Sequence, residues 1–188
     1  GVLVLSDAID NSGGVNCSDH EVNIKILLAQ VVRAGDMTEK QRNHLLVEMT
    51  DDVASLVLRE NYLQPQAIGM ARARAFELLP DHVALIRTLE KNGKLDRAIE
   101  FLPDDEELRS RESSGKGLTG PELAVLLAYA KISLFEQLIA SDVPEDPYLR
   151  GDLIAYFPPQ LRENFVAAME THPLRREIVT NAVVNSMV

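Results

Sequence analysis

The sequence has few of the residues that build disulfides, metal centres and aromatic surfaces. Its 188 residues include one cysteine, four histidines and no tryptophan. The single Cys17 excludes a disulfide within the chain, and no group of cysteines and histidines has the spacing of a structural zinc site. We therefore expect no bound metal, and we interpret Cys17 as a small, partly buried residue and not as a nucleophile or a metal ligand.

Basic residues are also in the minority. Lysine and arginine number 19 against 29 aspartates and glutamates, which gives a net charge of −10. A chain of this charge repels the phosphate backbone at long range, so we expect no nucleic-acid partner. The sequence shows no apolar run as long as a membrane span and no pattern of an export leader, so we expect a cytoplasmic protein that does not contact a membrane.

The pattern that is present is helical. Apolar residues recur at helical spacing over most of the chain, and prolines and glycines separate the segments, which predicts an all-α fold of about eight to ten helices. Thr38 followed by Gln41 has the capping-box pattern, and Pro65 is placed to open a helix. Residues 122–141 have few polar interruptions, so we expect this helix at the centre of the core.

The first residues differ from the rest. Residues 2–5 form a short apolar run that predicts a buried strand, and residues 11–14 then predict a turn. Ser18 and Glu21 have the capping-box pattern, which predicts that the first helix begins there. One strand cannot satisfy its backbone groups alone, and the last helix reaches Val188 without a cap. With the missing initiator methionine, these features lead us to expect a fragment of a longer polypeptide.

The predicted turn has the chemistry to hold a carboxylate or carboxamide. Gly13 and Gly14 allow the backbone to approach a ligand closely, Asn11 offers an amide, and Ser18 places a hydroxyl beside free N–H groups at a helix start. The same residues also make a good structural turn and cap. The residues alone leave both interpretations open.

Three other motifs are incomplete. His20 and Glu21 begin the zinc-protease motif HExxH, but Ile24 stands where the second histidine is required. Residues 17–20 contain the residue types of a nucleophilic site, yet neighbours in sequence seldom adopt the geometry of a triad. The Gly-Lys pair at residues 115–116 lacks the earlier glycine of a phosphate loop. We therefore predict no catalytic residue and no metal ligand in this chain.

Three separated segments carry a resemblance to a known family. Residues 6–21, "SDAIDNSGGVNCSDHE", resemble the pattern P-D-x-x-x-N-A-G-G-V-x-x-S-x-x-E near the end of the dinucleotide-binding domain of glutamate dehydrogenases. With "GLTGPELAVLLAYAKI" at 117–132 and "YFPPQLRE" at 156–163, the chain is similar to the large bacterial NAD-specific glutamate dehydrogenases. Two positions depart from the pattern: Ser6 replaces the proline, and Ser12 replaces the alanine common in small members.

The resemblance implies a role for the opening stretch. The family oxidatively deaminates L-glutamate to 2-oxoglutarate and ammonia, with NAD as hydride acceptor. By position, Val15 and Ser18 would line the glutamate pocket. Asn11 would face the nicotinamide ribose or carboxamide, and Gly13 and Gly14 would keep the chain close to both ligands.

The resemblance also implies how the chain is organised. Residues 1–17 would be the C-terminal edge of the dinucleotide-binding catalytic domain, and residues 18–188 a helical C-terminal domain that supports assembly or regulation of a homo-oligomeric enzyme. The catalytic lysines and aspartate of the family and its glycine-rich nucleotide loop have no match here, so we expect the isolated chain to be inactive. Two alternatives stay open: an independent helical interaction module, and a hydrolase that uses Cys17 or His20.

Overall fold

The computed structural model describes residues 4–187, and over this range the protein is built from helices without any strand. The prediction of an all-α fold is confirmed. The α-helices, in chain order, are α1 (Asp7–Asp10), α2 (Ser12–Ala34), α3 (Glu39–Glu48), α4 (Thr50–Ala73), α5 (Leu79–Lys91), α6 (Asp105–Ser113), α7 (Gly120–Ile139), α8 (Arg150–Tyr156), α9 (Pro159–Arg162), α10 (Val166–Glu170) and α11 (Arg175–Met187). Two single 3-10 turns, Val143–Glu145 and Pro147–Leu149, precede α8.

The described residues divide into two compact units. Unit 1 comprises residues 4–12 and 61–134, and unit 2 comprises residues 13–60 and 135–187. Each unit has its own apolar core. The core of unit 1 consists of Leu5, Ile9, Ile68, Leu79, Ile86, Leu89, Leu95, Leu102, Leu108, Leu118, Leu123, Ala124 and Leu126. The core of unit 2 consists of Ile24, Leu27, Leu28, Met49, Leu153, Phe157, Leu161, Met169, Ile178 and Val179.

Several helix boundaries follow from local sequence signals. The Thr38 hydroxyl accepts the backbone N–H of Gln41 at 3.3 Å, and the Gln41 side chain accepts that of Thr38 at 2.9 Å, so the predicted capping box of α3 is confirmed. The Asp104 carboxylate caps α6 by accepting two N–H groups of the first turn, those of Glu106 and Glu107. Beyond the end of α5, Gly93 has φ +66°, a left-handed conformation that favours glycine.

The structure at the start of the chain differs from the prediction. Residues 2 and 3 of the predicted strand lie outside the described residues, and Val4 and Leu5 are not part of a strand. The predicted turn is limited to Asn11, and α2 begins at Ser12 instead of Ser18. A helix pairs its backbone groups internally, whereas a strand without neighbours leaves them unpaired.

The prediction that Pro65 opens a helix is also wrong. Pro65 lies inside α4, not at the beginning of a new helix. The ring removes one backbone donor, but Pro65 is exposed, and Ile68 and Ala71 continue the helical spacing and pack into the core of unit 1. Packing of the apolar face therefore outweighs the lost hydrogen bond. The expectation for α7 holds within unit 1, since its Leu123 and Leu126 are buried.

Candidate functional site

The predicted ligand residues lie on the solvent side of the N-terminal part of α2. Val15 is 70% exposed, Ser18 is exposed, and Val22 is 48% exposed. Residues three, four or seven apart lie on the same side of a helix, so these three side chains form one row. We name this row the outer face of α2. In this row the Ser18 hydroxyl lies between the apolar side chains of Val15 and Val22.

The glycines and the serine adopt other conformations than predicted. Gly13 and Gly14 belong to the first turn of α2, and among the described residues the glycines with positive φ are Gly35, Gly93 and Gly115. The pair therefore makes no tight turn, but it leaves a stretch of helix without side chains. Ser18 lies in the second turn and does not cap the helix, while Asn11 is exposed just before it.

Ser12 supports the start of α2 from within unit 1. Its Oγ lies 3.0 Å from the carbonyl oxygen of Ile9 and 2.6 Å from Oδ1 of Asn61. The alanine common at this position in small glutamate dehydrogenases has no hydroxyl to donate to either acceptor. The departure of Ser12 from the family pattern therefore has a structural role in this chain.

Three polar side chains around α2 form a group that the sequence did not predict: Asn23 is buried, Tyr156 is half-buried and Asp19 is exposed. The Tyr156 hydroxyl donates a hydrogen bond to Oδ2 of Asp19 at 2.7 Å and accepts one from Nδ2 of Asn23 at 2.8 Å. Nδ2 of Asn23 also donates to Oδ1 of Asp19 at 3.2 Å. We name Asp19, Asn23 and Tyr156 the tyrosine cluster. Burial raises the pKa of Tyr156, so its hydroxyl keeps its proton and remains a donor at neutral pH.

Two histidines flank the tyrosine cluster. His20 is 2% exposed, and its ring stacks on that of Tyr156 with 4.6 Å between centroids. Nδ1 of His172 accepts the backbone N–H of Leu174 at 3.0 Å, so Nε2 carries the proton and donates to the carbonyl oxygen of Asn23 at 3.1 Å. Burial lowers the pKa of both histidines. Both are thus neutral structural groups.

The burial of His20 was not predicted from the sequence. One sequence signal was available. His20, Leu27 and Val31 are separated by seven and four residues, a spacing that puts His20 on the apolar face of α2. The partner of this face, Tyr156, has no comparable signal because it lies more than a hundred residues away in sequence.

The loop that contains the Gly-Lys pair at residues 115–116 of unit 1 is held by hydrogen bonds within the chain. Glu122 accepts hydrogen bonds from both terminal nitrogens of Arg111, at 2.7 and 2.9 Å, and from the backbone N–H of Thr119 at 2.7 Å. A Cβ on Gly117 would lie 2.0 Å from the carbonyl oxygen of Ala75. These contacts give the loop a structural role, in agreement with the incomplete phosphate-loop motif.

Unit 1 also contains an apolar cavity of about 250 Å³. It is lined by Ala67, Ile68, Ala71, His82, Leu85, Leu123, Leu126, Leu127 and Ala130. The single polar side chain is His82, whose pKa is lowered by burial, so the imidazole is neutral at neutral pH. Because the lining has no positive charge, the cavity is unsuited to a dicarboxylate such as glutamate.

Residues 4–187 contain neither a metal-binding group nor a membrane-spanning helix. No three histidine, cysteine, aspartate or glutamate side chains in this range are grouped so that they could hold a metal ion. No helix formed by these residues is long and apolar enough to cross a membrane.

Comparison with known proteins places both ends of the chain in described families. Residues 1–71 match the family "Bacterial NAD-glutamate dehydrogenase, catalytic domain", and residues 115–188 match "Glutamate dehydrogenase, C-terminal". The chain is 57% identical over 97% of its length to the NAD-specific glutamate dehydrogenase of Pseudomonas aeruginosa. It is 51% identical to that of Halomonas elongata and 45% identical to that of Mycobacterium tuberculosis, each over its whole length.

These matches define the chain as an all-helical segment related to dehydrogenases. More specifically, it is similar to the bacterial NAD-specific glutamate dehydrogenases, and the resemblance inferred from residues 6–21, 117–132 and 156–163 is confirmed. The chain spans only 11–12% of the length of these relatives. The outer face of α2 lies in the segment that matches the catalytic domain, and Tyr156 lies in the segment that matches the C-terminal family.

Proposed function

We propose that this chain works as part of an NAD-dependent glutamate dehydrogenase. The reaction converts L-glutamate, water and NAD⁺ to 2-oxoglutarate, ammonium, NADH and a proton. One observation carries the proposal: nearly the whole chain is 57% identical to a relative named NAD-specific glutamate dehydrogenase. The full-length protein that contains this chain is called the parent protein below.

Within that protein, the outer face of α2 forms one wall of the glutamate pocket. The Ser18 hydroxyl donates a hydrogen bond to a substrate carboxylate, and Val15 packs against the methylene groups of glutamate. Both side chains are exposed in this segment, although the opposite side of α2 is buried. This exposure supports the proposal, since a residue that binds substrate must be accessible to it.

The residues just before Val15 would face the cofactor. Asn11 has an exposed amide that can both donate to and accept from a carboxamide or a ribose hydroxyl, so its chemistry fits NAD. Gly13 and Gly14 have no side chains to obstruct the approach of a ligand. Bound NAD supplies the hydride acceptor. The residues of this chain bind and orient the ligands, and we assign no catalytic residue to them.

The rest of the chain serves the assembly or regulation of the parent protein. The boundary between residues 17 and 18, the homo-oligomeric state and the cytoplasmic location stay predictions. The two-unit division gives the helical region cores of its own, which supports a role as a folded module. The same property is what the alternative of an independent interaction module requires.

Substitution of Ser18 in the parent protein distinguishes the substrate-binding role from the interaction module. Ser18→Ala should raise the KM for glutamate about ten- to a hundredfold, because a hydrogen bond to a charged group contributes about 1.5–3 kcal/mol. Ser55→Ala is the matched control, since Ser55 is also an exposed helical serine of unit 2. An unchanged KM for glutamate in the Ser18 variant would refute the substrate role and favour the interaction module.

A second measurement tests the division of labour between this chain and the rest of the parent protein. The purified 188-residue chain should produce no NADH from glutamate and NAD⁺, because the catalytic lysines and aspartate of the family have no match in it. Sustained NADH formation by this chain would contradict the proposal that it carries one wall of the site and no catalytic residue.

A further inference from the structure

We infer that Tyr156 is a positioning residue for the glutamate pocket: through Asp19 and Asn23 it fixes the outer face of α2. The inference rests on the proposed function, because it assumes that Ser18 and Val15 contact glutamate. It adds a residue of the C-terminal segment to the determinants of substrate binding.

The geometry connects the hydroxyl of Tyr156 to Ser18 in one step. Asp19 directly follows Ser18 in the chain, so its carboxylate and the Ser18 hydroxyl are attached to neighbouring Cα atoms about 3.8 Å apart. The Tyr156 hydroxyl holds that carboxylate at 2.7 Å. A rotation of α2 that moved Ser18 relative to the pocket would also break this hydrogen bond.

The same hydroxyl fixes α2 at a second point, one helical turn further on. It accepts a hydrogen bond from Nδ2 of Asn23 at 2.8 Å, and this amide donates to Asp19 as well. Residues four apart on a helix lie on the same side, so the Tyr156 hydroxyl restricts the rotation of α2 at Asp19 and at Asn23 together. Two contacts on successive turns define the orientation of the helix better than one.

The N-terminal part of α2 needs such a support. Its first turn contains Gly13 and Gly14, and glycine has a lower helix propensity than alanine. The buried residues of α2 begin only at His20, which stacks on the Tyr156 ring. Going along α2 from Val15 and Ser18, the contacts with Tyr156 are therefore the first within unit 2 that can hold the helix in place.

The cluster also connects two parts of the sequence that match different families. Asp19 and Asn23 lie in the segment that matches the catalytic domain, while Tyr156 follows 137 and 133 residues later in the segment that matches the C-terminal family. The C-terminal segment thus contacts the helix of the predicted pocket directly. It has a defined part in substrate binding in addition to any role in assembly.

The test is Tyr156→Phe in the parent protein. Phenylalanine removes both hydrogen bonds and keeps the ring that stacks on His20. We expect the KM for glutamate to rise about three- to tenfold, since hydrogen bonds of this kind contribute about 1 kcal/mol each. The KM for NAD should change less, because Asn11 and Gly13 lie more than one helical turn from Asp19. Tyr148→Phe is the matched control, as Tyr148 is an 89% exposed tyrosine of the same unit.

A purely structural role of Tyr156 gives a different result. It would reduce the fraction of active enzyme, and so the apparent kcat, without changing either KM. Asn23→Ala provides a second variant with the same expected rise in the KM for glutamate, and KM does not depend on the fraction of molecules that fold. A KM for glutamate that stays at the wild-type value in both variants overturns the inference.

The Ser18→Ala measurement distinguishes a failure of the positioning role of Tyr156 from a failure of the proposed function. A raised KM in Ser18→Ala, with an unchanged KM in Tyr156→Phe and Asn23→Ala, refutes the positioning role and leaves the proposed function standing. An unchanged KM in all three variants refutes both.

Discussion

The guanidinium group of Arg111 binds both carboxylate oxygens of Glu122, with N–O distances of 2.7 and 2.9 Å. The two side chains are only 18% and 12% exposed. They lie at the two ends of the loop between α6 and α7, and the N–H of Thr119 from that loop also reaches Glu122. This two-point contact closes the loop in unit 1.

Loss of Arg111 should therefore destabilise the chain. Arg111→Met leaves a largely buried carboxylate without its cation, and we expect the free energy of unfolding to fall by about 2–3 kcal/mol. Arg74→Met is the control, because the Arg74–Glu77 pair is exposed and should contribute little. Urea denaturation of the 188-residue chain measures both variants. Equal losses in the two would show that the buried geometry is not important.

The same pair predicts a pH dependence. Burial alone would raise the pKa of the Glu122 carboxyl, but the hydrogen bonds from Arg111 and Thr119 outweigh it and lower the pKa below the ordinary value of 4.5. A carboxyl with a lowered pKa in the folded state stabilises the protein above its unfolded-state pKa, and this contribution disappears as the pH falls through the folded-state value.

Comparison of the wild type with Glu122→Gln tests this sign. The difference between their free energies of unfolding should be constant at neutral pH and should shrink once the pH drops below 4.5. A difference that stays constant to about pH 3, or grows in acid, would show that Glu122 is not held in its ionised form.

Gly117 is predicted to be intolerant of a side chain. A Cβ at this position would lie 2.0 Å from the carbonyl oxygen of Ala75, a backbone atom that cannot move aside cheaply. We expect Gly117→Ala to lower the free energy of unfolding by about 2 kcal/mol or more. Gly69→Ala is the control within unit 1: Gly69 is helical with nothing near its Cβ position, so alanine should stabilise by about 0.5–1 kcal/mol. Thermal unfolding that ranks the variants the other way round contradicts the packing at Gly117.

His172 should make the stability fall in mild acid. Burial lowers its pKa, and the Asn23 carbonyl and Glu177 offset this only in part. The unfolded chain therefore takes up the proton first, and the free energy of unfolding decreases as the pH falls below the ordinary value of 6.5. His172→Gln should weaken this pH dependence, because glutamine can donate to Asn23 and does not titrate. A pH dependence of the same size in His172→Gln and in the wild type would contradict this assignment.

The features that could be predicted from the sequence depend on neighbouring residues. The Thr38–Gln41 cap and the apolar run of α7 each lie within a few turns of chain, so their signals are complete locally. The prediction that α2 begins at Ser18 was wrong. Gly13 and Gly14 favour a turn, but the packed part of the same helix favours its extension toward the N-terminus, and this second effect is the larger. The partnership of Tyr156 with Asp19 could not be predicted, since it depends on how distant helices pack.

The two glycines at the start of α2 have a further consequence, for the order in which the molecule opens. A helical turn with weak intrinsic propensity and exposed side chains unfolds locally at a smaller free energy than the buried turns after it. Amide hydrogens around Gly14 should accordingly exchange with solvent earlier than those around Leu27 and Leu28. If Val15 and Ser18 contact glutamate as proposed, the substrate meets a part of α2 that is less rigid than its buried turns, and part of the binding energy of glutamate would be used to order it.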